Sequence, residues 1–121
     1  MLLVTTAAAN AEWTTIGKTN EFTAYVDRTT IQHGGRFIKI NNLRNLKVPK
    51  RVGDDPPYSS MRAQIEYDCE NNKHRTLTLT FFSGNMGEGE VIFTDLVTSQ
   101  WLTNTPASFG EIEWDIACGK K

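Results

Sequence analysis

His33 and His74 are the side chains best placed by type to move protons or hold a metal near neutral pH. His33 precedes Gly34-Gly35, where a turn is expected, and His74 opens a strand. Neither has a second His, Asp or Glu at a ligand spacing, so no metal and no cofactor is expected. Cys69 and Cys118 are the two thiols, and neither belongs to a Cys-x-x-Cys pair, which argues against zinc or redox roles. No Gly-x-Ser-x-Gly elbow occurs. Gly84, Gly87 and Gly89 resemble a phosphate loop only loosely, because no Gly-Lys-Ser/Thr follows and the next segment reads as strand. Asp54-Asp55 and Glu88/Glu90 fall in a prolyl and a glycyl loop, where carboxylates more often serve solubility than acid–base work. The chain is expected not to be an enzyme.

Charge is more informative. The net charge is −1, which by itself points to no bulk polyanion or polycation partner. The charges are nevertheless segregated. Arg28, Arg36, Lys39, Arg44, Lys47, Lys50 and Arg51 follow one another with no acidic residue between them. From Thr76 to Cys118 the charges are Glu88, Glu90, Asp95, Glu111, Glu113 and Asp115, with no Lys or Arg. Arg44, Lys47, Lys50 and Arg51 are therefore the candidate binding residues, a basic loop for a sulfated glycan or an acidic protein segment. The alternative is that each set sits on a solvated face, or that the two neutralise each other within a subunit or across a homodimer. Nucleic acid is not expected, since Phe37 is the one aromatic in the basic stretch. Trp101 and Trp114 read as core or edge-packing residues.

The chain has 121 residues, with 39% hydrophobic and 22% charged, which suits one soluble globular domain and leaves no apolar run long enough for a membrane span. Residues 1–11 read as a signal-peptide remnant or a tail: Leu2-Leu3-Val4 is apolar, and Ala9 and Ala11 supply the small residues of a cleavage site. Residue 12 is Glu, so a lipid anchor at that junction is not supported. Residues 12–121 form the domain. In an oxidising compartment Cys69 and Cys118 would pair, closing a 49-residue separation and stabilising the fold by about 4 kcal/mol. The alternative is two buried free thiols in a cytosolic protein.

These residues need elements to hold them. Met61, Ala63, Ile65, Tyr67 and Cys69 alternate with Arg62, Gln64, Glu66 and Asp68, a strand with one wet face. After the polar turn Glu70-Asn71-Asn72-Lys73, Leu77, Leu79 and Phe81 alternate with Thr76, Thr78 and Thr80, which completes an antiparallel hairpin. Shorter strands are expected at Glu12–Ile16 and Glu21–Asp27. Arg36–Leu46 should carry a bulge near Asn41-Asn42, where the apolar parity slips. Val48–Tyr58, with three prolines, should be loop. Val91–Val97, apolar on both faces, should lie inside the sheet or be covered. Ser108-Phe109-Gly110-Glu111 is a capping box that opens a helix, with Phe109, Ile112 and Ile116 on its buried face, Glu113 pointing away and Gly119 as terminator. Lys120 and Lys121 would suit the helix dipole. The order is sheet first and helix last, an α+β fold.

The sequence Trp13, Tyr25-Val26-Asp27, Tyr58-Ser59-Ser60, Glu66-Tyr67-Asp68-Cys69, Trp101, Pro106-Ala107-Ser108 and Cys118 resembles the bacterial surface-adhesin protein E domain over residues 12–118. The resemblance implies a single antiparallel sheet of about six strands, with the C-terminal helix held on its concave face by a Cys69–Cys118 disulfide. It also implies an exported, periplasmic or surface protein of a Gram-negative bacterium that binds host matrix proteins such as vitronectin, laminin and plasminogen, with a homodimer among the expectations. The alternative function is a periplasmic accessory or inhibitor protein. No family binding motif transfers to particular residues here.

Overall fold

The computed structural model describes residues 11–119. The expected signal or tail segment, apart from Ala11, and Lys120 and Lys121 lie outside the described residues. Six strands cross one antiparallel sheet in chain order: β1 (Trp13–Lys18), β2 (Phe22–Gly34), β3 (Phe37–Lys50), β4 (Tyr58–Asp68), β5 (Lys73–Phe82) and β6 (Val91–Asp95). A short β7 (Leu102–Thr103) pairs with Lys73 and His74, so β6 and β7 share one edge of β5. Helix α1 (Phe109–Cys118) ends the fold. Cys69, just past β4, is bonded to Cys118 with the Cα atoms 5.5 Å apart. The α+β order, the antiparallel sheet, the terminal helix and the disulfide all agree with the sequence reading.

α1 begins as its sequence dictates. The Ser108 Oγ accepts the Glu111 amide at 3.2 Å, while the Glu111 carboxylate accepts the Ala107 amide at 2.9 Å, one residue further back than in the usual capping box. Gly119 stops the helix at φ 70°, a left-handed conformation that glycine adopts without penalty, and its amide donates to the Asp115 carbonyl. The helix lies across the face formed by Val26, Ile38, Ile40, Ala63, Ile65 and Tyr67, with Ala117, Trp114 and Ile116 packed onto it. A second cluster, Leu46, Tyr58 and Phe81 with Phe22, Met61 and Leu79, also forms part of the core.

Several local expectations are corrected. The register slip lies in β2, between Asp27 and Gln32, while Phe37–Asn45 of β3 pairs with β4 without interruption. The parity change from Ile40 to Leu43 has another cause: both faces of the sheet are covered there. Leu43 faces away from the helix and meets the 3₁₀ turn Asn85–Gly87. That turn is held by the Ser60 hydroxyl, which accepts the Gly87 amide at 2.9 Å, and by Asn45, whose Oδ1 accepts the Met86 amide at 2.7 Å.

β3 continues to Lys50, accommodating Pro49 where its pairing with β4 slips between Asn45 and Lys50, so the loop shrinks to residues 51–57. β2 runs on through His33 to Gly34, and the turn is Gly35-Arg36. Leu77 is the extra residue of a bulge in β5, so His74 and Thr76 share the helix face with Leu79. β6 is an edge strand and not a covered one: Val91 is 57% and Phe93 40% exposed.

The wet face of β4 also dries out at its end. Glu66 and Asp68 are buried, the first paired with Arg75 at 2.8 Å and the second with Arg36 at 3.4 Å. Burial works against the Asp68 charge. Hydrogen bonds from the Asn71 side chain and the Glu70 and Asn71 amides, with Arg36 nearby, outweigh it and hold the carboxyl below its ordinary value. Trp101 packs at the sheet, stacked on Phe37 with ring centroids 5.5 Å apart and beneath the Arg75 guanidinium.

Candidate functional site

Glu113 is the largest departure from the sequence reading. It was expected to point to solvent, yet it is 5% exposed and faces the sheet. Its Oε1 accepts the Tyr67 hydroxyl at 3.0 Å and the Asn42 side-chain amide at 3.0 Å, and its Oε2 accepts the same amide at 3.1 Å. The helix is rotated so that Phe109, Glu113 and Ala117, spaced four apart, form the inward stripe. Burial raises the Glu113 carboxyl above its ordinary value, although the bonds from Asn42 and Tyr67 and the charge of Arg44 oppose the rise. Burial and the adjacent Glu113 carboxylate in turn push the Tyr67 hydroxyl up, leaving it a donor at any physiological pH.

A cavity of about 590 Å³ opens beside this group, between the first turn of α1, β7 and the sheet. Its wall includes Tyr67, Asn42, Glu113, Thr76, His74 and Arg44. A smaller depression of about 220 Å³ shares Asn42, Arg44, Ile65 and Thr76 with it and continues over Met61, Ala63 and Leu79. His74 is fixed from behind: its Nδ1 meets the Asn104 Oδ1 at 2.5 Å, and the buried Asn104 amide donates to the Asn72 Oδ1 at 2.8 Å. With the Asn104 amide assigned this way, the Nδ1–H donates to the Asn104 oxygen. Gly110 lets this group approach the helix; a Cβ there would stand 3.1 Å from the Asn104 oxygen.

The four basic candidates do not form one loop. Arg44, Lys47 and Lys50 lie along the second half of β3, and only Arg51 falls in the loop that follows. All four are exposed. Arg44 lies on the helix face, its guanidinium stacked 4.7 Å above the Phe22 ring. Lys50 pairs with Glu21 at 3.3 Å, in an exposed contact that salt would screen. Arg51 donates to the Asp55 carbonyl at 3.4 Å. Arg44 and Lys47 have no ion pair among the described residues.

Sequence reasoning found Arg44 through the charge run but missed Asn42, Tyr67, His74 and Glu113 as neighbours. The β5 bulge and the rotation of α1 bring them together, and neither leaves a clear mark in hydrophobic spacing. Trp114, expected as a core or edge-packing residue, packs on the core and donates its indole N–H to the Asp68 carbonyl at 2.9 Å.

Among the described residues no three His, Cys, Asp or Glu side chains converge, and no helix is long and apolar enough to cross a membrane. A search of curated protein sequences finds no significant match. Structures of Haemophilus influenzae protein E share the fold. One is 18% identical with a TM-score of 0.69, covering 98% of this chain and 82% of that one. Another is 17% identical with a TM-score of 0.69, covering 87% and 85%. A second crystal form is 19% identical with a TM-score of 0.67, covering 79% and 80%. The family profile described as surface-adhesin protein E matches residues 13–119, most of the domain, and the chain therefore belongs to the surface-adhesin protein E family.

Proposed function

We propose that this adhesin-type surface protein holds acidic glycan chains of the host matrix through Arg44, Lys47, Lys50 and Arg51. The observation that carries the reading is the run of exposed cations along the second half of β3, in which Arg44 and Lys47 have no acidic partner among the described residues. Along β3 residues 44, 47 and 50 lie about 10 Å apart, and because side chains alternate, Arg44 and Lys47 leave opposite faces of the strand, so a flexible polymer crossing that strand can meet both where one small anion cannot. Long Lys side chains on such a strand act as mobile point charges, which suits a flexible polyanion and makes the affinity depend on salt. Family membership supports binding at the surface or outside the cytosol of a Gram-negative cell, and binding in place of catalysis.

The test is retention of the purified domain on immobilised matrix glycoproteins, before and after enzymatic removal of their sulfated glycans. Glycan removal should abolish retention. Retention that survives removal, and is lost only when acidic protein segments are blocked, would assign the partner to protein instead.

A further inference from the structure

We infer that the cavity beneath the first turn of α1 is a seat for one acidic sugar unit, a uronate, with its carboxylate at Arg44 and its hydroxyls turned inward. The inference deepens the glycan reading and rests on it for the source of the sugar. Four observations lead to it.

The volume, about 590 Å³, is that of a small-ligand site and is too small for a folded partner. The wall mixes hydroxyl, amide and imidazole groups from Thr76, Thr103, Thr105, Asn42 and His74, which offer donors and acceptors on several sides. An apolar ligand would strand these groups, whereas a polyhydroxylated ring can satisfy them. The half-buried Phe109 ring supplies an apolar patch for the C–H face of such a ring.

The charges at the two ends define the rest. Arg44 at the cavity wall is braced by the Phe22 ring and has no carboxylate partner among the described residues, so its planar fork is available to one. Glu113, deeper in, has an Oε2 that receives only the Asn42 amide among the described residues and can take a hydroxyl as a second donor. A single carboxylate held outward with hydroxyls inward fits both ends.

The probe is D-glucuronate, with D-glucose as the neutral control, followed in amide and side-chain NMR spectra of the whole chain. Glucuronate should shift the Asn42 side-chain amide and the Thr76, Thr103 and Gly110 amides at millimolar concentration, and glucose should bind at least tenfold more weakly. Arg44→Gln should erase that preference while leaving the rest of the spectrum in place. Because Arg44→Gln could perturb Phe22 packing, Thr76→Val provides a second variant, which should weaken glucuronate and glucose alike. An absence of shifts, or shifts confined to residues outside the cavity, overturns the inference. If the polymer still binds in that case, the glycan reading survives without this seat. If glucuronate binds and no polymer does, the seat stands and the proposed polymer contact falls.

Discussion

The Tyr67 hydroxyl donates to the Glu113 carboxylate at 3.0 Å, joining the middle of α1 to the middle of the sheet through two buried polar groups. Neither group could be buried alone without cost, since an unpaired buried hydroxyl or carboxylate loses its hydration and gains nothing. With the Asn42 amide as the third member, the cluster fixes the rotation of the helix, because a turn of the helix in either direction would leave all three unsatisfied.

Removal of the acceptor should therefore be expensive, and its neutral analogue should not be. Glu113→Ala leaves the Tyr67 hydroxyl and the Asn42 amide without a partner and should lower stability by roughly 1–3 kcal/mol. Glu113→Gln keeps an acceptor for Tyr67, and the Asn42 amide can turn over to accept from the new one, so most of the stability should remain. Urea unfolding of the two variants at pH 7 separates these outcomes.

The same carboxyl sets a pH dependence of unusual sign. Its proton is held more tightly in the folded chain than at the ordinary value of 4.5. The contribution to stability is thus fully present below that value and declines as pH rises through the folded pKa. Asp68 acts the other way: its folded pKa is lowered, so its contribution is present above 3.8 and is lost as pH falls. Glu113→Gln should flatten the decline on the alkaline side of 4.5 and leave the acid limb unchanged. Denaturation midpoints across pH 3 to 8 would show whether the two limbs separate in this way.

How much of this was legible in the sequence varies by element. The β4–β5 hairpin was readable because alternation along Met61–Cys69 and the polar turn at Glu70–Lys73 agree. The capping box at Ser108–Glu111 was readable because it is local. Glu113 was misread because two helical stripes were open, one through Ile112 and Ile116 and one through Glu113 and Ala117. Apolar content favoured the first, while the partners that favour the second, Tyr67 and Asn42, are distant in the chain. β6 was misread because an apolar strand gives the same pattern whether it is covered or left as an exposed edge. Pro49 hid the extension of β3, since a register slip can admit a proline that a regular ladder excludes.

Reduction should loosen the end of the helix that Glu113 does not hold. Cys69→Ser/Cys118→Ser removes a cross-link spanning 49 residues and should cost about 4 kcal/mol. Hydrogen exchange should accelerate first in residues Ile116–Gly119, while amides near the Glu113–Tyr67 bond keep more of their protection. Uniform loss of protection along α1 would show instead that the disulfide carries the whole helix.

At the other end of α1, Gly17 on β1 leaves room for the Phe109 ring, since a Cβ at that position would stand 2.5 Å from the ring edge. Phe109 also packs on Phe22, with centroids 5.8 Å apart, so its ring cannot move freely. Gly17→Val should cost about 1–3 kcal/mol. It should also disturb Arg44 through Phe22, which the glucuronate titration would register as weaker binding.

The most direct test of the account is the affinity of the domain for a sulfated glycan chain measured against salt concentration, for the native protein and for Lys47→Glu/Lys50→Glu/Arg51→Glu. The account predicts that native affinity falls steeply as salt rises and that the triple variant loses at least tenfold at low salt while keeping its fold. Equal affinity of the two proteins, or binding indifferent to salt, would contradict it.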